Sequence, residues 1–152
     1  EISACLVGSE MCIRDRSFEH LICTEQLSRR LGFKVGEELI RVVRVRSLNG
    51  NARQVDHGYF LASIAKGLTP EIAADSIYGY LEHKRGVKVM ASRRTVSVEL
   101  ANDEDCSYLD LGKYNCVAVM ESQSYTSDGI LFEVTHARTH PEIFHYRVNS
   151  KR

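Results

Sequence analysis

The stretch from Glu38 to Phe60 limits what this chain can fold into more than any other. Leu39-Ile40-Arg41-Val42-Val43-Arg44-Val45-Arg46 is dense in β-branched residues, and Leu48-Asn49-Gly50-Asn51 supplies a turn whose central pair tolerates positive φ. The segment is therefore predicted to be a β-hairpin. Strand alternation places Ile40, Val42, Arg44 and Arg46 on one face and Leu39, Arg41, Val43 and Val45 on the other. An apolar strand face that continues as Arg-x-Arg needs an explanation, because buried charges require partners. Two guanidinium forks one strand step apart can grip a dianion such as a phosphate. Ordinary surface or ion-paired arginines are the other reading of the same strand. The returning strand, Ala52 to Phe60, has polar groups on both faces, which places it at a sheet edge or along a cavity.

The chain's 152 residues suffice for one domain with a real core. Its 20 basic side chains balance 20 acidic ones, leaving no excess charge to hold a nucleic-acid backbone, so direct DNA binding by this chain is not expected. No apolar run is long enough to span a bilayer. The cysteines at 5, 12, 23, 106 and 116 form no Cys-x-x-Cys pair, and an odd set of scattered thiols favours a reduced, cytoplasmic setting. His136, His140 and His145 straddle Pro141 without a convincing accompanying carboxylate or thiol, so no metal is expected, and no cofactor.

Residues 1–16 show neither period, no cap and no signal-peptide pattern, and they resemble the translated edge of a sequencing read. They are set aside as a non-native or disordered segment, leaving residues 17–152 as the domain. Thr24 to Leu31 reads as a short amphipathic helix stopped by Gly32, Pro70 opens another, and Ser76 to Lys84 a third, with Ile77 and Leu81 inward. The backbone N–H groups beginning that third helix could serve an anion; a plain N-cap serine is the commoner role. Val87 to Leu100 is a long strand candidate, and Asn102 to Asp105 opens an acid-capped helix. A second hairpin turns at Ser127-Asp128-Gly129, and its returning strand puts Leu131, Glu133, Thr135 and Ala137 on one face. Glu133 there is either a solvated edge group or a ligand for hydroxyls.

Placing Gly129 over Gly50, a shift of 79 residues, lays helix, strand, turn and strand of the last third over those of the first. The expected fold is α+β: an antiparallel sheet built from two helix-plus-hairpin halves, with helices against one side.

Leu31-Gly32 with Gly36-Glu37, Arg44-Val45-Arg46, Asp56 and Tyr59, Ser76-Ile77-Tyr78 with Leu81, and Phe132-Glu133 together resemble the UTRA domain, the effector-binding half of HutC-type regulators in the GntR superfamily. The resemblance covers roughly residues 17–147. It implies a chorismate-lyase-like fold, no enzymatic activity, homodimerisation, and a pocket for a small effector, frequently a sugar phosphate. DNA would be contacted only through a separate N-terminal winged-helix domain. By the same resemblance Arg44, Arg46 and Ser76 correspond to phosphate-gripping positions, Tyr78 and Glu133 to sugar contacts, and Asp56 to a position where many members have glutamate. Asp56-His57-Gly58-Tyr59, Gly67-Leu68-Thr69-Pro70, Asp75-Ser76-Ile77-Tyr78, Arg138 and Pro141 are similar to the trehalose-operon repressors of Gram-positive bacteria, which implies trehalose 6-phosphate as ligand and adds Arg138 to the site. An amino-sugar 6-phosphate is the alternative effector, and a lyase or a pure dimerisation module the alternative functions.

Overall fold

The computed structural model describes residues 11–149. Six strands, β1 (Met11–Ile22), β2 (Glu38–Leu48), β3 (Asn51–Leu61), β4 (Val89–Leu100), β5 (Cys116–Thr126) and β6 (Leu131–Thr139), form one antiparallel sheet in the order β1-β2-β3-β6-β5-β4. Four short helices accompany them: α1 (Glu25–Leu31), α2 (Pro70–Asp75), α3 (Ile77–Gly79) and α4 (Asp103–Tyr108). α3 runs on into one wide turn, Tyr80–Lys84.

The local signals act as the residues require. Thr24 caps α1 by accepting from the Leu27 N–H, and Gly32 closes it in the left-handed region at φ +91°. Pro70 starts α2 behind its Thr69 cap, and Asn102 and Asp105 form a reciprocal capping box on α4. Asn49 and Gly50 both have positive φ, 51° and 81°, so the turn of the first hairpin matches the twist of its strands.

The strand order is that of two halves joined at the β3–β6 seam. The shift of 79 residues carries α1, β2 and β3 onto α4, β5 and β6, and it also carries β1 onto β4. Of the segment set aside on sequence grounds, residues 1–10 lie outside the described residues, whereas residues 11–16 form the first half of β1, paired with β2. β3 lies at the centre of the sheet, so of its two expected placements the edge does not apply.

Residues directly opposite across an antiparallel pair project to the same side. The registers therefore assign one face to Val42, Arg44, Arg46, Asp56, Gly58, Phe60, Glu133, Thr135, Ser122, Ser124 and Arg94, here called the arginine face. The other carries Val43, Val45, Val55, His57, Tyr59, His136, Arg138, Val117 and Val119, and is the helix face. α1 lies on the helix face, where Gln123 Nε2 donates to the Leu31 carbonyl, and so does α4, through Asp105 and Arg138. α2 and α3 cross to the arginine face, where Tyr78 meets Glu133 and Ser124. The expectation of helices on one side only is thus corrected, because the connection between the two halves closes one end of the opposite face. A bulge between Ser124 and Tyr125 turns Leu131 away from Glu133 and toward Gly32 of α1.

Val43, Val45, Val55, Leu109, Leu111, Val117 and Val119 form a core on the helix face. The larger core gathers Leu31, Phe33, Leu39, Tyr59 and Phe132 with Ile40, Val42 and Phe60, and Ile77 and Leu81 pack into it. Among the described residues, what remains of the arginine face beyond α2 and α3 carries no helix.

Candidate functional site

On the arginine face the side chains rise from neighbouring strands in ordered rows. Arg44 stands opposite Asp56, which stands opposite Ala137, while Gly58 faces Thr135 and Phe60 faces Glu133. Arg46 donates from Nε to Asp56 Oδ2 at 2.6 Å, and Gln54 Nε2 donates to Oδ1 of the same carboxylate at 2.6 Å. Asp56 is 7% exposed, so its two oxygens are spent on holding Arg46 and Gln54 rather than offered outward. Arg44, half-buried one strand step away, has no hydrogen bond or ion pair among the described residues. Among the described residues, one arginine is braced and its neighbour is not.

Glu133 is 4% exposed and accepts a short hydrogen bond from the Tyr78 hydroxyl, which also lies 3.2 Å from Ser124 Oγ. Burial pushes the Glu133 carboxyl above its ordinary range, and the bonds from Tyr78 and Ser124 and the charge of Arg44 offset this only in part. Burial, and then the adjacent Glu133 charge, raise the Tyr78 phenol as well. Burial thus disfavours the charged form of both groups, and their hydroxyl and carboxyl oxygens face each other over the sheet.

Ser76 ends α2 and caps α3. Its N–H goes to the Ile72 carbonyl at 3.1 Å, and its Oγ accepts from the Gly79 N–H at 3.0 Å. The expected helix start is present, but α3 is a single turn, and Ser76 has already committed both its backbone donor and its cap.

Arg138 does not join this group. It projects from the helix face, where Asp105 receives its Nε at 2.8 Å and its Nη2 at 2.8 Å, and Glu99 receives Nη1 at 2.6 Å. With two carboxylates on it the guanidinium is held still more firmly protonated than usual. Asp105, fully buried, also completes the capping box of α4, so this arginine fastens a helix to the sheet. Of the seven residues singled out in the sequence, Arg44, Arg46, Asp56 and Glu133 share one sheet face, Tyr78 closes over it with Ser76 two residues before, and Arg138 lies behind.

Alternation already sets Thr135 beside Glu133 and Gln54 beside Asp56, but sequence reasoning missed Ser122 and Ser124 as members of this face and gave none of the four a part in the site. The signal for them is register: each stands opposite or beside an identified residue once β5 is laid against β6 and β3 against β2. Two surface hollows, one lined by Arg85, Gly86, Lys88 and Thr126 and the other by Arg53, Lys113, Tyr114 and His140, contain none of these groups. The first sits where loops leave the sheet, and in the second Arg53 already faces Glu142 at 3.7 Å.

Comparison with known proteins follows the same outline. A family model described as the UTRA domain matches residues 8–145. The HTH-type transcriptional regulator TreR of Bacillus subtilis is 28% identical over 123 residues, 81% of this chain and 52% of that protein. The chain thus spans about half the length of this curated relative. Among solved structures, the effector-binding domain of the B. subtilis trehalose repressor TreR superposes with a TM-score of 0.85 at 26% identity, covering 92% of this chain and 97% of that one. A GntR-family transcriptional regulator from Bacillus cereus superposes with a TM-score of 0.84 at 23% identity, over 93% and 99% of the two chains.

Proposed function

This chain belongs to the UTRA domain family, and from that premise we propose that it is the ligand-sensing part of a bacterial transcriptional repressor, with a sugar phosphate as its effector and trehalose 6-phosphate the favoured one. The observation that carries this reading is the half-buried Arg44, without an ion pair among the described residues, beside an Arg46 braced by Asp56. A guanidinium held in place and a second one with no ion pair among the described residues suit a dianion better than a monoanion. Glu133 and Tyr78, on the same face, offer a carboxyl and a phenol to sugar hydroxyls.

Binding is coupled to regulation through differential affinity for two arrangements of the full-length protein, whose DNA-binding domain is a separate N-terminal part. The whole works in the cytoplasm as a homodimer. Support for self-association comes from β4, an edge strand exposed over nearly its whole length, with Val98 and Leu100 72% and 75% exposed.

Thermal unfolding with trehalose 6-phosphate, glucosamine 6-phosphate, glucose 6-phosphate and inorganic phosphate, each added separately, tests the ligand, because a compound that binds only the native state raises the midpoint. A shift largest with trehalose 6-phosphate fits the proposal, one largest with glucosamine 6-phosphate moves the effector to an amino sugar, and no shift with any of them removes sugar phosphates. One observation favours a second reading: a buried carboxyl raised by burial is what a general acid needs, so a chorismate-lyase-like activity is the competing function. Incubation with chorismate decides it through the appearance or absence of 4-hydroxybenzoate.

A further inference from the structure

The arginine face carries a third cation, far from Arg44 and Arg46. Arg94, on β4, stands opposite Ser122, which stands opposite Thr135, which stands opposite Gly58, itself opposite Val42. Four strand spacings separate the two ends of this row, about 19 Å between backbones. Arg94 is exposed and forms no ion pair or hydrogen bond among the described residues. The hydroxyls of Ser122 and Thr135, half-buried in the row, likewise have no partner. Glu133 and Tyr78 lie between the two cations: Arg44 acts electrostatically on the first and Arg94 on the second.

A cation on an edge strand ordinarily guards against strand pairing. Arg93, its neighbour, is equally exposed but projects from the helix face, opposite Gln123. What distinguishes Arg94 is the ladder of free hydroxyls that leads from it to the Glu133–Tyr78 corner.

We propose that Arg94, Ser122 and Thr135 form a second subsite that recognises the end of a polyhydroxylated ligand remote from its phosphate, so that this chain selects two-ring phosphosugars over single hexose phosphates. The proposal rests on the reading of Arg44 and Arg46 as the phosphate-binding end. A ligand anchored there lays its first ring against Glu133 and Tyr78 over the middle of the sheet. Only a second ring reaches out to Arg94 on β4, whose guanidinium donates to its hydroxyl oxygens while Ser122 on β5 and Thr135 on β6 exchange hydrogen bonds with it.

Calorimetric titration of the chain with trehalose 6-phosphate and glucose 6-phosphate, in the native sequence and in the Arg94→Ala, Arg93→Ala and Arg44→Ala variants, tests this. Arg94→Ala is expected to weaken trehalose 6-phosphate about tenfold or more and to leave glucose 6-phosphate within about twofold, as befits one charged hydrogen-bonding group lost from one ligand only. Arg93→Ala, which removes the same charge from the other face, is expected to change neither. Equal losses in the two variants, or an unchanged disaccharide affinity in Arg94→Ala, overturn the subsite while leaving the Arg44 site standing. If neither sugar phosphate binds the native chain, or Arg44→Ala leaves binding intact, the broader reading falls and the subsite falls with it.

Discussion

The two faces of the sheet use the same residue types in opposite ways. On the helix face, Arg138 is neutralised by Asp105 and Glu99, and Asp105 is at once a helix cap and a counter-ion, so the charges are consumed in attaching α4. On the arginine face, Arg46 has one carboxylate, Arg44 has no ion pair among the described residues, and Glu133 is hydrogen-bonded to a phenol. The histidines repeat the contrast. His57 and His136 stand opposite each other on the helix face, each within reach of both an arginine and a glutamate, His57 by Arg41 and Glu104, His136 by Arg30 and Glu121. Charge that is already paired builds the fold, and charge left unpaired on a shielded face is available to a ligand. A half-buried arginine is thus informative only together with its partners.

Breaking the helix-face network should have the largest effect. Arg138→Leu leaves the Asp105 carboxylate buried without its cation, and a loss of about 3–5 kcal/mol in denaturant unfolding is expected. Phosphosugar affinity, measured in the protein that remains folded, should be unchanged. A variant that folds normally but loses ligand would move Arg138 to the other side of the comparison.

The counterpart on the arginine face is Arg44→Ala. Here stability should stay within about 0.5 kcal/mol, because no hydrogen-bonded partner among the described residues is stranded. Affinity for the sugar phosphate should fall by roughly 1.5–3 kcal/mol, the worth of a hydrogen bond to a charged group. Arg46→Ala should do both, since it also leaves Asp56 buried and unpaired. Unfolding curves and titrations on the two variants separate these outcomes.

Smaller effects follow from pH, and the two faces respond with opposite sign. Burial, with Arg41 adding for His57 and Arg30 for His136, holds both imidazoles below their ordinary range despite the nearby glutamates. The unfolded chain then binds the protons more readily. The stability these histidines allow is fully present above the unfolded imidazole value and is lost as pH falls below it toward the depressed folded values. The raised Glu133 works the other way, contributing stability below the unfolded carboxyl value that is lost as pH rises toward its folded value. Unfolding measured from neutral pH downward should show a decline that the paired His57→Gln and His136→Gln substitutions flatten. Glu133→Gln should remove this decline with rising pH, so that its stability relative to the native chain grows as pH rises, while binding the phosphosugar less well.

The smallest change expected is at a helix end. Asn102→Ala removes one side of the α4 capping box and should cost about 1 kcal/mol, read as a lowered unfolding midpoint with ligand affinity unmoved.

The contrast between the faces also explains what the sequence disclosed. The hairpins, their Asn-Gly and Asp-Gly turns, the caps at Thr24, Thr69 and Asn102 and the face shared by Arg44 and Arg46 are local matters, set by alternation and side-chain chemistry within a few residues. β1 has no such local mark, because residues 11–16 carry no clear alternation. It was nonetheless visible at a distance, since the shift that lays β2 on β5 also lays β1 on β4. Which side α2 and α3 take, and hence that Tyr78 meets Glu133 and Ser124, depends on the path of the connection between the halves. Arg138 shows the limit of carrying a residue over by resemblance: β6 alternation alone separates it from Glu133, since five residues is an odd step, and that parity was there to be read. Asp56 shows another limit, as only the register against β2 reveals that its carboxylate braces Arg46.

The most direct test follows the arginine side-chain Nε–H resonances of Arg44, Arg46 and Arg138 while trehalose 6-phosphate is added. If the open face binds the ligand, the signals of Arg44 and Arg46 move with saturation and that of Arg138, tied to Asp105 and Glu99, stays in place. Movement of Arg138 with Arg44 and Arg46 unaffected would put the ligand on the helix face and contradict the division of labour between the two.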